Sequence, residues 1–260
     1  MNSREAQLQA LDRLITIMDE LREGCPWDRK QTMQTLRQLT IEETYELGDA
    51  ILDNDLEEVR KELGDLLLHI VFYARIGSET GDFDLGDVAN GICEKLIRRH
   101  PHIYGDTEVA DAEQVKANWE KIKLQEGKKS VLEGVPQSLP ALVKANRIQE
   151  KVAGVGFDWE APEQVFQKVR EELEELEAER ENGNRAALEA EMGDVFFSLV
   201  NYCRFLGINP EDALERTNKK FIGRFRFLED RARDAGRSLH EMTLEEMDVH
   251  WEAAKKYDTP

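Results

Sequence analysis

The chain has 260 residues, of which 40% are hydrophobic and 34% are charged, and its formal net charge is −19 at pH 7. A chain of this length can bury one large core or two modest ones. The excess of acidic residues argues against nucleic acids and anionic membranes as partners, because both require a basic face that neutralises phosphate.

The cysteines and the apolar runs indicate where the protein resides. The three cysteines (Cys25, Cys93 and Cys203) are scattered and odd in number, which favours a reducing compartment, and we expect the cytoplasm. The N-terminal residues lack the apolar run of a signal peptide. The longest apolar stretch, residues 66–72, is too short to cross a bilayer.

The first half of the chain has the apolar period of amphipathic helices. A first helix ends near Gly24, and the capping-box pattern of Thr40 and Glu43 predicts that a second begins at Thr40. A third helix follows Asp55, and a fourth follows Asp84. The period of the third helix predicts these inward-facing residues: Val59, Leu63, Leu66, Leu67 and Ile70.

A helical pattern also fills the second half. Gly134 and Pro136 interrupt it, so we expect a linker at residues 131–140 between an N-terminal unit, residues 1–130, and a C-terminal unit, residues 141–260. No segment alternates like a strand. The predicted fold is all-α, with two tandem helical bundles related by duplication. A bundle this narrow leaves one apolar helix face uncovered, and we expect that face to pack against a second chain.

A set of four carboxylates is repeated without a gap in the two units. Glu43, Glu46, Glu62 and Asp65 recur 129 residues later as Glu172, Glu175, Glu191 and Asp194. The midpoint of each set is a residue typical of turns, Asn54 in the first and Gly183 in the second. Helix residues spaced by three share a face, and packed helices lie about 8–10 Å apart. The four carboxylates of each helical hairpin can therefore converge on one point.

Four converging carboxylates repel one another unless a cation lies between them. No cysteine or histidine belongs to the set, so its oxygen ligands favour Mg²⁺, with Mn²⁺ as the alternative, over Zn²⁺. A di-iron bundle competes, but it normally needs Glu-x-x-His, and Asp65 and Asp194 stand at the corresponding positions. We interpret His69 as a hydrogen-bonded core or interface histidine. Ordinary polar helix faces explain one such pattern more easily than its gapless repetition.

Basic residues accompany the second set. Mg²⁺ held by carboxylates keeps open positions for water and substrate phosphates, so cationic side chains should lie nearby. Lys168 precedes Glu172 by one turn, and Lys220 and Arg224 are one turn apart on a later helix. These three cations form a candidate phosphate clamp. The repeat places Leu39 where the second unit has Lys168, so we expect the second unit to be catalytic.

These features resemble the MazG family, the nucleoside triphosphate pyrophosphohydrolases of the all-α NTP pyrophosphatase superfamily. The resemblance rests on the two E-E-x-x-E…E-x-G-D hairpins and covers essentially the whole chain. Four shorter segments match as well: residues 24–28, 99–102, 156–159 and 220–224. It implies Mg²⁺-dependent cleavage of NTPs and dNTPs between the α- and β-phosphates, giving a nucleoside monophosphate and pyrophosphate. It also implies a homodimer and broad tolerance of the base.

The resemblance adds Lys123 and Trp251 as nucleotide contacts, although the residues alone leave a core position open for Trp251. Beside the four carboxylates of the second unit, Glu171 either orients or deprotonates the attacking water or completes the metal shell. The first hairpin, with Glu43, Glu46, Glu62 and Asp65, is a second and weaker candidate metal site with a structural or dimer-forming role.

A different class of protein fits the same pattern. A helical dimer that senses nucleotides or metal without turnover would carry the same carboxylates and cations. Pyrophosphate release in the presence of Mg²⁺ distinguishes the enzyme from the sensor. Base selection depends on the shape of a pocket, so the sequence predicts no preferred base.

Overall fold

The computed structural model describes residues 1–111, 114, 115, 118, 119, 122 and 130–257. The regular structure in these residues is helical, and none of them lies in a strand, which confirms the all-α prediction. The chain divides into two compact units, Met1–Ala110 and Asp111–Pro260. The linker at residues 131–140 follows this division in sequence and stays a prediction.

The first unit is built on a helical hairpin. Its helices are α1 (Arg4–Gly24), α2 (Met33–Leu52), α3 (Leu56–Thr80), α4 (Leu85–Arg99) and the single turn α5 (Pro101–Tyr104). Helix α3 packs along α2 and also contacts α1 and α4. The centre of this packing is a small core of Met18, Leu36, Val71 and Phe72. The hairpin is thereby held from one side by α1.

The prediction that the second helix begins at Thr40 is wrong. Helix α2 begins at Met33, where Thr32 is the N-cap and forms the capping box with Thr35. Thr40 lies inside the helix, and its hydroxyl donates to the carbonyl of Leu36 at 3.0 Å. It also lies 2.8 Å from the Tyr73 hydroxyl of α3. Thr40 therefore links α2 to α3 and does not act as an N-cap.

The second unit repeats the hairpin and adds a long helix. Its helices are α6 (Ala141–Ala153), α7 (Pro162–Asn182), α8 (Arg185–Phe205), α9 (Pro210–Asp234) and α10 (Leu244–Ala254). Helices α7 and α8 form the hairpin, α6 packs on α8, and α9 contacts α6, α8 and α10. The predicted duplication of helical bundles is thus present in the structure.

Both predicted hairpin turns occur where the repeat places them. Gly183 ends α7 with φ of +72°, and Asn184 caps α8. Asn54 stands at the matching position of the first unit with φ of +56°, and Asp55 caps α3. A left-handed backbone conformation favours glycine and tolerates asparagine. Each unit therefore has a suitable residue at this turn, asparagine in the first and glycine in the second.

The inward stripe predicted for α3 is wrong in part. Leu63, Leu67 and Ile70 are exposed by 52%, 36% and 47% within this chain. Helix α4 has no buried residue at all, and its stripe of Val88, Ile92 and Leu96 is exposed. The period identified the apolar face correctly, but nothing in the described part of the chain covers it. No described helix combines the length and hydropathy that a membrane crossing requires.

Candidate active site

Each hairpin brings three carboxylates together. In the second unit, ligand oxygens of Glu172, Glu175 and Glu191 all lie within 4.8 Å of one another. Glu172 and Glu175 are one turn apart on α7, and α8 presents Glu191 across the hairpin. The fourth predicted ligand, Asp194, lies outside this triad, one turn further along α8.

The triad is electrostatically strained. Burial raises the pKa of Glu191 above that of an ordinary glutamate, and repulsion from Glu175, Asp194 and Glu172 raises it further. Glu172 is buried, so water screens its charge poorly. A charge of this sign and density favours occupation by a cation.

One basic side chain compensates part of this charge. The Nζ of Lys168 lies 2.8 Å from Glu172 Oε1 and 3.6 Å from Glu171 Oε2. The hydrogen bond to Glu172 raises the pKa of the Lys168 ammonium, which stays charged at neutral pH. Lys168, Glu172 and Asp194 line a common cleft of about 190 Å³ between α7 and α8. Three of the predicted site residues thus lie around one opening.

The first unit carries an equivalent triad without the lysine. Oxygens of Glu43, Glu46 and Glu62 lie within 4.8 Å of one another, and Asp65 lies outside the group. Burial, the charge of Glu46 and a hydrogen bond with Glu43 raise the pKa of Glu62. The neighbouring cleft is lined by carboxylates and one alanine: Glu46, Asp49, Ala50, Asp53, Asp55, Glu58 and Glu62. It offers a candidate cation site, and none of these lining residues is basic.

The remaining predicted contacts belong to α9 and α10, except for Lys123. Lys220 is exposed on α9. The Arg224 guanidinium lies over the Trp251 ring, 5.5 Å from its centroid. Trp251 also packs on Phe221 at 4.9 Å between ring centroids. None of these residues lines the cleft of Lys168 and Glu172. Lys123 lies outside the residues that the structure describes.

His69 is a core histidine, as interpreted, but one of its ring nitrogens lacks the expected hydrogen bond. It is buried in α3, as expected for a core histidine, but its Nδ1 has no hydrogen-bond partner among the described residues. The second unit has Ser198 at the matching position, and the Ser198 hydroxyl donates to the Val195 carbonyl. A histidine on only one of the two hairpins fits neither a di-iron pair nor the triads above.

Sequence reasoning missed several residues of the cleft. Trp159, Phe197, Ser198 and Asn201 line it together with Lys168. Ser198 lies four residues after Asp194, on the same face of α8, so helical spacing alone was a signal for it. For Trp159, which precedes α7 and reaches the cleft from a loop, the sequence signal was the family resemblance of residues 156–159.

Comparison with known proteins agrees with this geometry. The family model of the MazG nucleotide pyrophosphohydrolase domain matches residues 31–104 and 160–226, together more than half of the chain. The chain belongs to the MazG family. Each match contains one complete hairpin, and the expected hydrolase of MazG type is confirmed.

Full-length relatives of this MazG chain are known. A nucleoside triphosphate pyrophosphohydrolase of Escherichia coli strain K12 is 43% identical over 260 residues, covering 96% of this chain and 99% of that protein. A Thermotoga maritima protein, named nucleoside triphosphate pyrophosphohydrolase/pyrophosphatase MazG, is 45% identical over 95% of this chain and 96% of its own. YabN of Bacillus subtilis is 47% identical over 93% of this chain, which spans 50% of YabN.

Proposed function

We propose that the C-terminal unit hydrolyses NTPs and dNTPs between the α- and β-phosphates, releasing a nucleoside monophosphate and pyrophosphate. The observation that carries the proposal is the convergence of Glu172, Glu175 and Glu191 within 4.8 Å, directly beside Lys168. The domain family and the names of two full-length relatives support this class of reaction. Broad base tolerance fits a role in controlling the nucleotide pool.

The donor set fits a hard divalent cation, Mg²⁺ or Mn²⁺. Three carboxylates offer oxygen ligands within 4.8 Å. Burial raises the pKa of Glu191, and so does the neighbouring negative charge, which a cation would relieve. Glu172, Glu175 and Glu191 would hold it, with Asp194 completing the set. When bound, such a cation neutralises the triphosphate and acidifies the attacking water.

The protein's own groups bind and orient the substrate. Lys168 lines the cleft, and its hydrogen bond to Glu172 favours the charged form of its ammonium. It can therefore stabilise the negative charge that develops on the phosphates. Glu171, 3.6 Å from Lys168, lies where it can orient or deprotonate the water. Lys220 and Arg224 extend the phosphate clamp, and Lys123 and Trp251 contact the nucleoside.

The N-terminal unit has a structural or dimer-forming role in this proposal. Its triad of Glu43, Glu46 and Glu62 can bind a cation, but its cleft presents only carboxylates to a triphosphate. Leu39 stands where the catalytic unit has Lys168. The first triad therefore has no counterpart of Lys168 beside it.

Product analysis tests the reaction. The purified full chain is incubated with Mg²⁺ and a panel of NTPs, and we expect equimolar nucleoside monophosphate and pyrophosphate. Release of orthophosphate and a nucleoside diphosphate would assign a different reaction. Absence of any product, together with Mg²⁺-dependent nucleotide binding, would support the sensor instead.

Paired substitutions test the division between the units. Glu172→Gln should abolish turnover while far-UV circular dichroism stays unchanged, because glutamine keeps the shape of the side chain but removes a ligand charge. Glu43→Gln is the matched change in the first unit and should cost much less. Equal losses from the two variants would overturn the assignment of catalysis to the C-terminal unit.

A further inference from the structure

The two triads differ in what lies beside their buried carboxylate. In the second unit the buried ligand is Glu172, and the Nζ of Lys168 lies 2.8 Å from its Oε1. In the first unit the buried ligand is Glu62, whose Oε2 is buried and has no hydrogen-bond partner among the described residues. Leu39 stands at the position of Lys168. The buried carboxylate of the first triad is therefore the one without a cationic side chain beside it.

Glu62 has an oxygen that calls for a partner. The residue is 6% exposed, and it lines a cleft of about 270 Å³, which has room for a cation and its waters. Burying an ionised carboxylate without a partner is costly. Glu43 and Glu46 offer no relief, because ionised carboxylates only accept hydrogen bonds. A divalent cation would supply the missing partner to all three side chains.

The walls of this cleft add further negative charge. Besides Glu46 and Glu62, the lining residues include four more carboxylates: Asp49, Asp53, Asp55 and Glu58. Lys61 lies next to Glu62 in sequence, but its Nζ bonds Glu58 at 2.6 Å, and both of these side chains are about half exposed. Exposed pairs of this kind contribute little. The negative potential of the walls therefore favours a cation at the first triad.

A cation at the second triad has to compete with Lys168 for Glu172. A hydrogen bond between charged groups corresponds to a factor of about 10 to 100 in affinity. The Lys168 side chain is 38% exposed, so water screens part of its interaction and the lower end of this range applies. We therefore expect the second triad to bind the same cation about tenfold more weakly than the first.

We propose that the triad of the first unit is the tighter of two divalent-cation sites in this chain, and that it holds a resident Mg²⁺ that stabilises the α2–α3 hairpin. Glu43 and Glu46 belong to α2 and Glu62 belongs to α3, so one cation links the two helices. The first unit uses the metal for stability, and the second triad fills at about tenfold higher Mg²⁺. The inference concerns binding without substrate, so it stands or falls separately from the proposed reaction.

A Mn²⁺ titration of the metal-free full chain tests the ranking. The electron paramagnetic resonance signal of free Mn²⁺ counts the bound ions, and Mg²⁺ is then added as a competitor. We expect two classes of site per chain that differ about tenfold in Kd. Glu62→Gln should remove the tighter class, and Glu191→Gln the weaker one. Glu57→Gln changes an exposed residue of α3 outside the triad and its cleft, and should retain both classes.

Exchanging the residues at the lysine position tests the cause of the difference. Lys168→Met should tighten the weaker class about tenfold, and Leu39→Lys should weaken the tighter class. Leu39 is partly buried against the core of the first unit, so circular dichroism has to show that its variant is folded. Lys168→Met decides the question without it. Lys61→Met, which removes a lysine from the rim of the first cleft, should change neither class.

Three results would overturn the proposal. The tighter class could disappear in Glu191→Gln, which would reverse the ranking. The two classes could have equal Kd in the wild type. Glu62→Gln could bind Mn²⁺ as the wild type does, which would show that the first unit holds no cation. A chain that binds Mn²⁺ as expected but releases no pyrophosphate from an NTP would contradict the proposed reaction and leave this inference intact.

Hydrogen exchange gives a second readout in the unaltered protein. Mg²⁺ is set at the concentration that fills only the tighter class, and amide exchange is compared with that in EDTA. We expect slower exchange in α2 and α3, because a bound cation stabilises the helices that hold it, and unchanged exchange in α7 and α8. Slowing confined to α7 and α8 would contradict the assignment of the tighter site to the first unit.

Discussion

Glu191 is the residue whose environment is most informative about the triad. Its raised pKa has two causes, burial and the neighbouring Glu175, Asp194 and Glu172. A raised carboxyl pKa means that the folded protein holds this proton more tightly than the unfolded chain, in which glutamate titrates near pH 4.3. The ionised carboxylate therefore destabilises the fold increasingly as the pH rises above about 4.3 through the folded pKa.

Replacing this carboxylate should stabilise the metal-free protein. In EDTA at pH 8 we expect Glu191→Gln to have a higher Tm than the wild type, and the difference should vanish as the pH is lowered towards 4. In millimolar Mg²⁺ the wild type should gain Tm, and the variant should gain less because it has lost a ligand. Thermal unfolding followed by circular dichroism measures both effects.

The control for this prediction lies on the same helix. Glu189 is exposed on α8 and lies outside the triad. Glu189→Gln removes the same charge from the protein as Glu191→Gln and should leave the Mg²⁺ response unchanged. A Glu191→Gln variant that is less stable than the wild type in EDTA at pH 8 would contradict the repulsion described here.

Lys168 should affect catalysis more than cation binding. Its ammonium lies 2.8 Å from Glu172, where it can reach substrate phosphates and also competes with a cation for that carboxylate. We expect Lys168→Met to lower kcat/KM for ATP about 10- to 100-fold, the loss typical of one charged hydrogen bond. Mg²⁺ affinity, measured by thermal shift without nucleotide, should not fall.

A second cation on α7 provides the comparison. Arg180 forms an exposed ion pair with Glu177 three residues away. Arg180→Met should leave kcat/KM unchanged, since exposed pairs of this kind contribute little. Equal activity of Lys168→Met and Arg180→Met would remove Lys168 from the phosphate clamp.

The triads were predictable from sequence, and the cavity lined by Gln149 was not. Glu172 and Glu175 share a helix face because of the helical period, and the gapless repeat then places Glu191 opposite them. Gln149 offers no such signal. It lies on another helix, and the Phe197 carbonyl sets the orientation of its amide. A sequence pattern carries no information on which buried acceptor lacks a partner.

At the scale of the elements, the hairpin turn is the feature on which the geometry of the triad depends. Gly183 has φ of +72°, and Asn54 occupies the matching turn with φ of +56°. An alanine in this conformation is strained by roughly 1–2 kcal/mol, whereas asparagine adopts it more readily. Gly183→Ala should therefore lower the free energy of unfolding by about 1 kcal/mol, and Gly183→Asn by less.

Urea unfolding measures this difference. The midpoint of Gly183→Ala should fall below that of Gly183→Asn while the slope stays the same. Asn54→Gly is the reciprocal control, and it should leave the midpoint of the first unit nearly unchanged. A Gly183→Ala variant as stable as the wild type would show that the turn relaxes to another conformation.

Helix limits show why local signals decide some boundaries and not others. Thr243 and Glu246 form the capping box that their spacing indicates, and α10 begins there. Thr40 and Glu43 have the same spacing but lie inside α2. Thr32 caps the helix before that point, and the Thr40 hydroxyl instead forms a hydrogen bond with the Tyr73 hydroxyl of α3. A tertiary contact thus outweighed a local motif of equal quality.

At the scale of the whole molecule, exposed apolar surface is the feature still to be explained. Val88, Ile92 and Leu96 form an exposed stripe along α4, a helix without a single buried residue. Leu63 and Ile70 of α3 are exposed as well. The helical period predicted that Leu63 and Ile70 face inward, and the described part of the chain buries neither them nor the stripe of α4. Contiguous apolar surface of this kind marks an interaction site.

We expect that a second copy of the chain covers the α4 stripe in a homodimer. Ile92→Glu places a charge in the middle of the stripe, where burial would be costly. Light scattering after size-exclusion chromatography should give the mass of a dimer for the wild type, twice the 29.9 kDa of the chain, and a monomer for the variant. Leu56→Glu changes an exposed residue in the first turn of α3, where a negative charge is favourable, and should leave the dimer intact. A dimeric Ile92→Glu variant would assign the stripe to a different partner, because a glutamate at its centre is incompatible with burial against an apolar copy of itself.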